Sequence, residues 1–479
     1  MNLRTRQWIE EHGVEAAVFI ALFAACLPSL ASADFWWHLR SGQLLYAAHA
    51  IPRSDPFSFT VAGQRWIAHE WLSELLLYAA YHFGGYATLL VLFALITAAA
   101  YWLAFRSAEG ALYARIPALA LAVWAAHPTF LVRPQAYTLL LFSLFRFVLE
   151  GHRRSGSWRP LLSLPLLTIL WVNLHGGYIL GPAVILLFLA GSMLDALADA
   201  RARQSLVPRA AHLGAAALAC LLVVPLNPNG VRLYTYPFET LRSHVMQTHL
   251  MEWLPPDPHQ RLFFPFFLLL ALTVLALVLR RQTLRPGELL FVAFFAGAAL
   301  HSMRHIALFS VACIPLLSGW RPARAPWRIP LPVRFAALAL LVLGCGWRLH
   351  TSIAGAATFE RTRFPADAVT FLQRSHPAGQ IFNAYSFGGY LLWRLYPDYR
   401  VYVDGRADLY GDPFLARFIE LYEAQVDPQP EFHRRDIRTV LVEPGTPLAG
   451  LLNITRGWRK VYQDSLAVIY MRADALPPA

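Results

Sequence analysis

Charged residues are scarce in this sequence of 479 residues, and lysine is nearly absent. Only 15% of the residues are Asp, Glu, Lys or Arg, against about 25% in soluble domains, and the single lysine is Lys460. The formal net charge is nevertheless +12, because arginines recur in short segments between apolar runs. That distribution follows membrane topology and does not form one basic patch, so it argues against nucleic acid as a partner.

Cysteine is also rare. The four cysteines, Cys26, Cys220, Cys313 and Cys345, all lie in apolar runs, and there is no CxxC pair. This pattern excludes a disulfide framework and a cysteine-based metal site. We interpret the four side chains as small core residues.

Long apolar runs are abundant, and the mean hydropathy is +0.43. Runs of bilayer-spanning length predict about eleven membrane-spanning helices. Residues 66–83 predict an amphipathic surface helix before the second span. We interpret the first run as a retained span, although Ala31-Ser32-Ala33 resembles a signal-peptide cleavage site. The predicted cores are 14–33, 86–105, 113–131, 135–150, 160–172, 178–195, 210–226, 262–279, 287–302, 305–319 and 330–347.

The arginines predict the orientation of these spans. With the N-terminus in the cytoplasm, every second loop is rich in arginine, as the positive-inside rule requires. The opposite loops then hold nearly all of the His, Asn and Trp residues and the motif-like segments. The N-terminal and loop arginines are Arg4, Arg6, Arg106, Arg115, Arg153, Arg154, Arg159, Arg201, Arg203, Arg209, Arg280, Arg281, Arg285, Arg321, Arg324 and Arg328.

The predicted protein is therefore a multi-pass protein of the cytoplasmic (inner) membrane. Residues 1–349 form the transmembrane domain, with a first outer loop at 34–84, and residues 350–479 form a small α/β extracytoplasmic domain. The pattern of that tail predicts three helices (366–375, 388–395 and 413–424), three strands (380–383, 400–404 and 439–443) and a final hairpin (458–463 with 467–471).

In the tail, Asn383 and Asp404 are the last residues of predicted strands, and Arg406 comes two residues after Asp404. Open α/β sheets bind ligands at strand ends, so these three residues are candidates for a tail ligand site. A tail that serves only for packing or docking fits the same pattern.

The first outer loop carries two pairs of acid and imidazole. Asp34 and His38 stand in Asp-Phe-Trp-Trp-His directly after the first span, and His69-Glu70 comes later in the same loop. A carboxylate at a membrane surface costs solvation energy unless it is paired or used. These four residues could bind manganese, magnesium or zinc, but no spacing matches a zinc signature. One positioned carboxylate acting as a general base is the more economical hypothesis.

Other polar residues lie at the outer ends of separate spans. Arg133 and Arg304 are candidates for binding phosphate, because a guanidinium binds phosphate in a bidentate manner. Snorkelling or pairing with a nearby acid explains each arginine equally well. The further candidates for substrate binding are Gln135, Asn173, His175, Glu252 and His305.

In its layout the sequence resembles the GT-C superfamily of polyprenyl-phosphate-dependent glycosyltransferases. The shared features are a first span with Asp34 at its outer end, about ten further spans and an outer α/β tail. The resemblance implies inverting transfer of a sugar from a polyprenyl-phosphate donor to a glycan, lipid or protein acceptor. Asp34 would be the general base and Arg133 or Arg304 would hold the lipid phosphate, while His38, His69 and Glu70 would bind the acceptor or a manganese or magnesium ion. Many members carry two adjacent acids here, whereas Asp34 is flanked by Ala33 and Phe35. Either Glu70 supplies the second acid or no second acid is needed.

Three alternatives stay open at this point. A transporter of lipid-linked or anionic solutes would need ionisable residues near the midplane and repeated halves, and neither is evident. A ligase of lipid-linked glycans would share the outer arginines but would not need Asp34. A non-catalytic scaffold or sensor would use the tail to bind a partner.

Overall fold

The structure is a computed structural model that describes residues 3–319 and 331–475. The predicted loop arginines Arg321, Arg324 and Arg328 lie outside these ranges.

The first range is helical. Its α-helices are α1 (Leu3–Ala25), α2 (Asp34–Ala48), α3 (Trp71–Ser107), α4 (Leu112–Ala126), α5 (Gln135–Ser155), α6 (Ser163–Leu174), α7 (Leu180–Ala198), α8 (Ala200–Gln204), α9 (Leu206–Leu222), α10 (Tyr236–Arg242), α11 (His244–His249), α12 (Phe264–Arg280), α13 (Pro286–His301) and α14 (Ile306–Ser318).

The second range begins with one long helix and then mixes helices with strands. Its helices are α15 (Leu331–Ala356), α16 (Phe359–Arg363), α17 (Ala366–Ser375), α18 (Tyr385–Leu395), α19 (Ala407–Tyr422), α20 (Gln429–Arg434) and α21 (Pro447–Ile454). Its strands are β1 (Gln380–Asn383), β2 (Ile437–Val442), β3 (Trp458–Gln463) and β4 (Val468–Arg472).

Among the described residues, five helical stretches are long and apolar enough to cross a membrane. They are Trp71–Ser107, Gly176–Ala198, Leu206–Leu226, Arg261–Arg280 and Ala336–Ala356. Shorter apolar helices cover Gly13–Ala25, Arg159–Leu174, Pro286–His301 and Met303–Ser318. The structure thus supports a multi-pass helical membrane protein, and the prediction of about eleven crossings goes beyond these stretches.

Two predicted boundaries differ in the structure. The first predicted span, 14–33, is too long, since α1 ends at Ala25 and α2 begins at Asp34. The predicted surface helix 66–83 begins only at Trp71 and is continuous with the second span in α3, apart from non-helical backbone at Gly84 and Gly85. Gly85 has a φ of 60°, a conformation that glycine adopts without strain.

The chain folds into two compact units. The helical unit consists of Met1–Ser29, Leu90–Pro237 and His249–Ser352, and the mixed unit consists of Leu30–Leu89, Phe238–Thr248 and Ile353–Ala479. In the helical unit, α14 packs on α4 and α13 while α7 packs on α9 and α13.

The mixed unit contains a four-stranded sheet in the order β1-β2-β4-β3. β1 is parallel to β2, whereas β2 and β3 are both antiparallel to β4. The predicted α/β tail and its final hairpin are therefore confirmed. The apolar side chains of β2 and β4 are almost wholly buried, as a sheet covered on both faces requires.

The predicted strand 400–404 is wrong. Val401 instead forms an isolated bridge with Ser58, and its N–H donates to the carbonyl of Phe57 at 3.2 Å. The two residues after Val401 form hydrogen bonds with the side chain of Asn383. The Asn383 Nδ2 donates to the Val403 carbonyl at 2.8 Å, and its Oδ1 accepts from the Tyr402 N–H at 2.9 Å. The side-chain amide of Asn383 thus forms the hydrogen bonds with residues 402 and 403 that a neighbouring strand would otherwise form.

Candidate functional site

Asp34 is the first residue of α2, where the positive end of the helix dipole favours a carboxylate. It is half-buried, and the Trp37 Nε1–H donates to its Oδ1 at 3.2 Å. Gly405 lies so close that a Cβ there would collide with Asp34 Oδ1 and stand 2.7 Å from Trp37 Nε1. Trp37, three residues further along the same helix, therefore orients this carboxylate, and Gly405 from the tail packs against it.

The paired glycines of α18 explain how the tail reaches the start of α2. A Cβ at Gly389 would stand 2.7 Å from the Ala33 carbonyl oxygen, and one at Gly388 would collide with the Val403 carbonyl. Residues without side chains are needed where backbones approach this closely. Trp36 and Trp37 are buried in the mixed unit.

The structure brings His38, His69 and Glu70 together. The Glu70 carboxylate lies 3.2 Å from His69 Nε2 and 3.7 Å from His38 Nδ1. Glu74, which was not predicted, lies 3.4 Å from His38 Nδ1. Its Oε2 is buried and has no hydrogen-bond partner among the residues that the structure describes. Glu74 could have been found from the sequence, because residues four positions apart lie on the same face of a helix and Glu70 is four positions before it.

Burial lowers the pKa of His69, but the charge of Glu70 and its hydrogen bond outweigh this and raise the pKa to about 9. His69 is therefore cationic at neutral pH. Its Nδ1 also lies 3.1 Å from the Ile67 carbonyl oxygen, which suits an imidazolium with two donors. The His69–Glu70 pair is an ion pair and not a neutral general base.

No metal site is assembled from these residues. Throughout the described ranges, no group of three or more His, Cys, Asp or Glu side chains is placed to hold a metal ion. Imidazolium formation at His69 also removes a lone pair that a metal would need. The predicted four-residue ligand set of Asp34, His38, His69 and Glu70 is thus not present as a ligand cluster.

The tail candidates Asp404 and Arg406 bond each other. Arg406 binds Asp404 through Nε at 2.9 Å and Nη2 at 2.6 Å, and its Nη1 reaches Asp55 at 2.8 Å. All three side chains are at most 1% exposed. Asp55 also accepts hydrogen bonds from the backbone N–H groups of Phe57 and Ser58, so its carboxylate has a structural role in this turn. Burial alone would lower the pKa of Arg406, but the Asp404 charge holds it well above its usual value.

In the helical unit, three of the predicted substrate-binding residues lie around the carboxylate of Glu252. Arg133 Nη1 donates to its Oε2 at 2.9 Å, Arg304 Nη1 lies 3.9 Å from Oε1, and Gln135 Nε2 lies 3.5 Å from Oε2. Burial raises the pKa of Glu252, but the two guanidinium groups outweigh it and lower the pKa to about 2. The Arg304 guanidinium also lies over the Trp253 ring at 4.2 Å. These two arginines thus have an acid partner.

The remaining candidates of this unit form a second polar group. His175 Nδ1 lies 2.7 Å from Thr138 Oγ1 and accepts the Gly177 N–H at 3.0 Å. Asn227 Nδ2 donates to Asn173 Oδ1 at 3.2 Å. His305 follows Arg304 and directly precedes α14, and its Nδ1 is buried without a hydrogen-bond partner in the described part of the chain.

Comparison with solved structures finds several similar chains, of which two are described here. The archaeal oligosaccharyltransferase AglB from Archaeoglobus fulgidus, in complex with an inhibitory peptide and a dolichol-phosphate, is 11% identical with a TM-score of 0.49, covering 91% of this chain and 70% of that one. An oligosaccharyltransferase from Archaeoglobus fulgidus in complex with Zn and sulfate is 13% identical with a TM-score of 0.44, covering 89% and 67%. No protein-family model matches the chain, and no curated protein is recognisably similar in sequence.

Proposed function

We propose that this chain is a membrane glycosyltransferase. It transfers a sugar from a polyprenyl-phosphate-linked donor to a glycan, lipid or protein acceptor at the outer face of the cytoplasmic membrane, with inversion at the anomeric carbon. The observation that carries the proposal is the placement of Asp34, a half-buried carboxylate at the first residue of a helix, oriented by Trp37 and packed against Gly405.

Asp34 is the proposed general base. The acceptor hydroxyl or amine gives its proton to the Asp34 carboxylate and forms a bond to the anomeric carbon. The bond between that carbon and the phosphate oxygen breaks, and the polyprenyl phosphate leaves with the electron pair. The indole N–H of Trp37 orients the carboxylate, and general-base catalysis needs a carboxylate with a defined orientation.

Arg133 and Arg304 are the proposed residues for the lipid phosphate. Their side chains expose 15% and 23% of their surface, and Glu252 between them exposes 30%. Two guanidinium groups around one carboxylate keep one positive charge in excess, so the group still attracts a phosphate. A bidentate approach by arginine suits that ligand.

His38, His69 and Glu70 are the proposed residues for the acceptor. His69 holds the Glu70 carboxylate in place, and that carboxylate can accept a hydrogen bond from a hydroxyl group of the acceptor. A bound manganese or magnesium ion stays outside the proposal, because the described residues form no ligand cluster for it.

The test is transfer of radiolabelled sugar in membranes that contain the wild type or Asp34→Asn. Loss of a general base lowers the rate about 10²–10⁴-fold, so we expect Asp34→Asn to lose transfer by that factor. The control is Asp398→Asn, which removes an exposed carboxylate of the same unit. Full transfer by Asp34→Asn would rule out the general base, and absence of transfer from every donor by the wild type would favour the scaffold hypothesis.

A further inference from the structure

The helical unit encloses a cavity of about 240 Å³ that plays no part in the proposed transfer. It lies among the C-terminal ends of α5, α7, α12 and α14 and the N-terminal end of α13. Arg133 and Gln135 stand at the other end of α5, so this cavity is distinct from the Glu252 group. Its loops are the arginine-rich ones that sequence topology assigns to the cytoplasmic side.

Charged side chains line the cavity. The arginines are Arg146, Arg153, Arg154, Arg280 and Arg285, and the acids are Glu109, Glu150, Asp195 and Glu288. Five guanidinium groups against four carboxylates have one positive charge in excess. An anionic ligand with a single charge would balance it.

Some of these arginines are paired with a carboxylate and others are not. Glu150 is paired with Arg153 and Arg154, and Asp195 Oδ1 accepts the Gly287 N–H at 2.8 Å. Arg146 and Arg280 donate instead to the carbonyls of Val311 and Leu316, at 2.6 and 2.5 Å. Throughout residues 3–319 and 331–475, no carboxylate lies within 4.0 Å of Arg146 or Arg280.

Arg146 gives the stronger argument for an anion, because it is the more deeply buried of the two arginines. It is only 9% exposed, and its guanidinium lies 5.2 Å above the Phe291 ring. A buried cation without a paired carboxylate is costly. Since a guanidinium carries five donors and one accounts for the Val311 carbonyl, further donors remain for an anion in the cavity.

The size of the cavity restricts the ligand. Sites for drug-sized molecules measure about 300–1,000 Å³, so this one is too small for a whole nucleotide and suits a headgroup. Basic pockets between membrane helices on the cytoplasmic side bind lipid headgroups.

We propose that this cavity, with Arg146 and Arg280 as its anchors, binds a phosphate group carried by a membrane phospholipid with one net negative charge. A soluble phosphate would satisfy the same arginines, so the experiment distinguishes the two sources. The inference does not depend on sugar transfer.

The test uses the full chain purified in detergent. Binding of dioctanoyl phosphatidylglycerol, inorganic phosphate and uncharged dioctanoylglycerol is measured by native mass spectrometry and by the shift of the thermal midpoint. We expect the phosphatidylglycerol affinity to fall about tenfold, or about 1.4 kcal/mol, in Arg146→Gln and in Arg280→Gln. The matched control is Arg281→Gln, the neighbouring exposed arginine outside the cavity, which keeps wild-type affinity.

Arg280→Gln keeps the proposal testable if Arg146→Gln fails to fold, because Arg280 is less buried. Competition by inorganic phosphate at similar concentration would identify the bare phosphate as sufficient and would still support the site. Equal phosphatidylglycerol affinity in the wild type and Arg280→Gln, or equally tight binding of dioctanoylglycerol, would overturn it.

Discussion

Gly405 lies against the carboxylate of Asp34, although 371 positions separate the two residues in the chain. Any side chain at residue 405 would meet both Asp34 Oδ1 and the Trp37 ring. Gly405 stands between Asp404 and Arg406, whose bonds to each other and to Asp55 hold the segment in place. The tail thereby determines where the proposed base lies.

Gly405→Ala is expected to displace the Asp34 carboxylate and to reduce transfer strongly without unfolding the protein. A misplacement of about 1 Å can cost roughly 10²-fold in rate. The measurement is sugar transfer together with the thermal midpoint. Gly450→Ala is the control, because a Cβ at that helical position of the same unit meets nothing within 4 Å. Wild-type activity in Gly405→Ala would contradict the importance of this contact.

Arg406→Met is expected to destabilise the mixed unit severely. It removes the guanidinium from two fully buried carboxylates, Asp55 and Asp404, and breaking such a pair costs about 3–5 kcal/mol. Thermal unfolding followed by tryptophan fluorescence measures the loss. The control Arg417→Met removes an exposed arginine paired with Glu420, a kind of pair worth about 0–1 kcal/mol. Equal midpoints for the two variants would show that the buried network contributes little.

Local pattern was enough to predict several elements of the tail. The strand 380–383, the helix 366–375 and the hairpin strand 458–463 agree with the structure to the residue, because alternation and helical periodicity are short-range signals. The predicted strand 400–404 failed for a long-range reason. Its backbone bonds the Asn383 side chain and residues 57–59, and no periodicity encodes such partners.

In the candidate site, too, the sequence predicted what depends on local position and missed what depends on distant partners. Position after the first span singled out Asp34, and the adjacent pair His69-Glu70 was visible in sequence. The pairing of Arg406 with Asp55 joins residues 351 positions apart, and Glu252 binds Arg133 over 119 positions. A single sequence lists such charges without their partners, so it could not separate a phosphate-binding arginine from one held by an acid.

Stability at alkaline pH is expected to depend on His69. Its folded pKa of about 9 lies above the value of about 6.5 for an unfolded histidine. The pair with Glu70 therefore contributes its full stability below pH 6.5 and loses it as the pH rises through 9. Thermal midpoints of the wild type at pH 7 and pH 10 measure the loss, and Glu70→Gln should remove this part of the pH dependence. An identical difference in both proteins would contradict the assignment.

Glu252→Gln is expected to tighten binding of a polyprenyl phosphate. Glu252 is ionised down to a pKa of about 2, so at neutral pH it competes with any phosphate for Arg133 and Arg304. Removing its charge leaves two positive charges where there was one, and we expect binding about 3–10-fold tighter at low ionic strength. Competition with a fluorescent polyprenyl phosphate measures this. Glu252→Asp, which keeps the charge, is the control, and weaker binding in Glu252→Gln would instead make the carboxylate part of the phosphate site.

Gly191→Ala is expected to destabilise the helical unit, because α7 and α13 meet there through two glycines. A Cβ at Gly191 would stand 3.0 Å from the Gly287 Cα, and one at Gly287 would stand 2.8 Å from the Gly191 carbonyl oxygen. Small residues permit such close approach between membrane helices, and overpacking costs about 1–3 kcal/mol.

The matched control for Gly191→Ala is Gly297→Ala in α13, where a Cβ meets nothing within 4 Å. There the lower entropy of the unfolded chain stabilises by about 0.4–1 kcal/mol, so the two thermal midpoints should move in opposite directions. Both glycines of the contact also line the phosphate cavity. Gly191→Ala should therefore lower the phosphatidylglycerol affinity as well, whereas Gly297→Ala should leave it unchanged. If Gly191→Ala lost stability but kept its phosphatidylglycerol affinity, the contact between α7 and α13 would not affect ligand binding in the cavity.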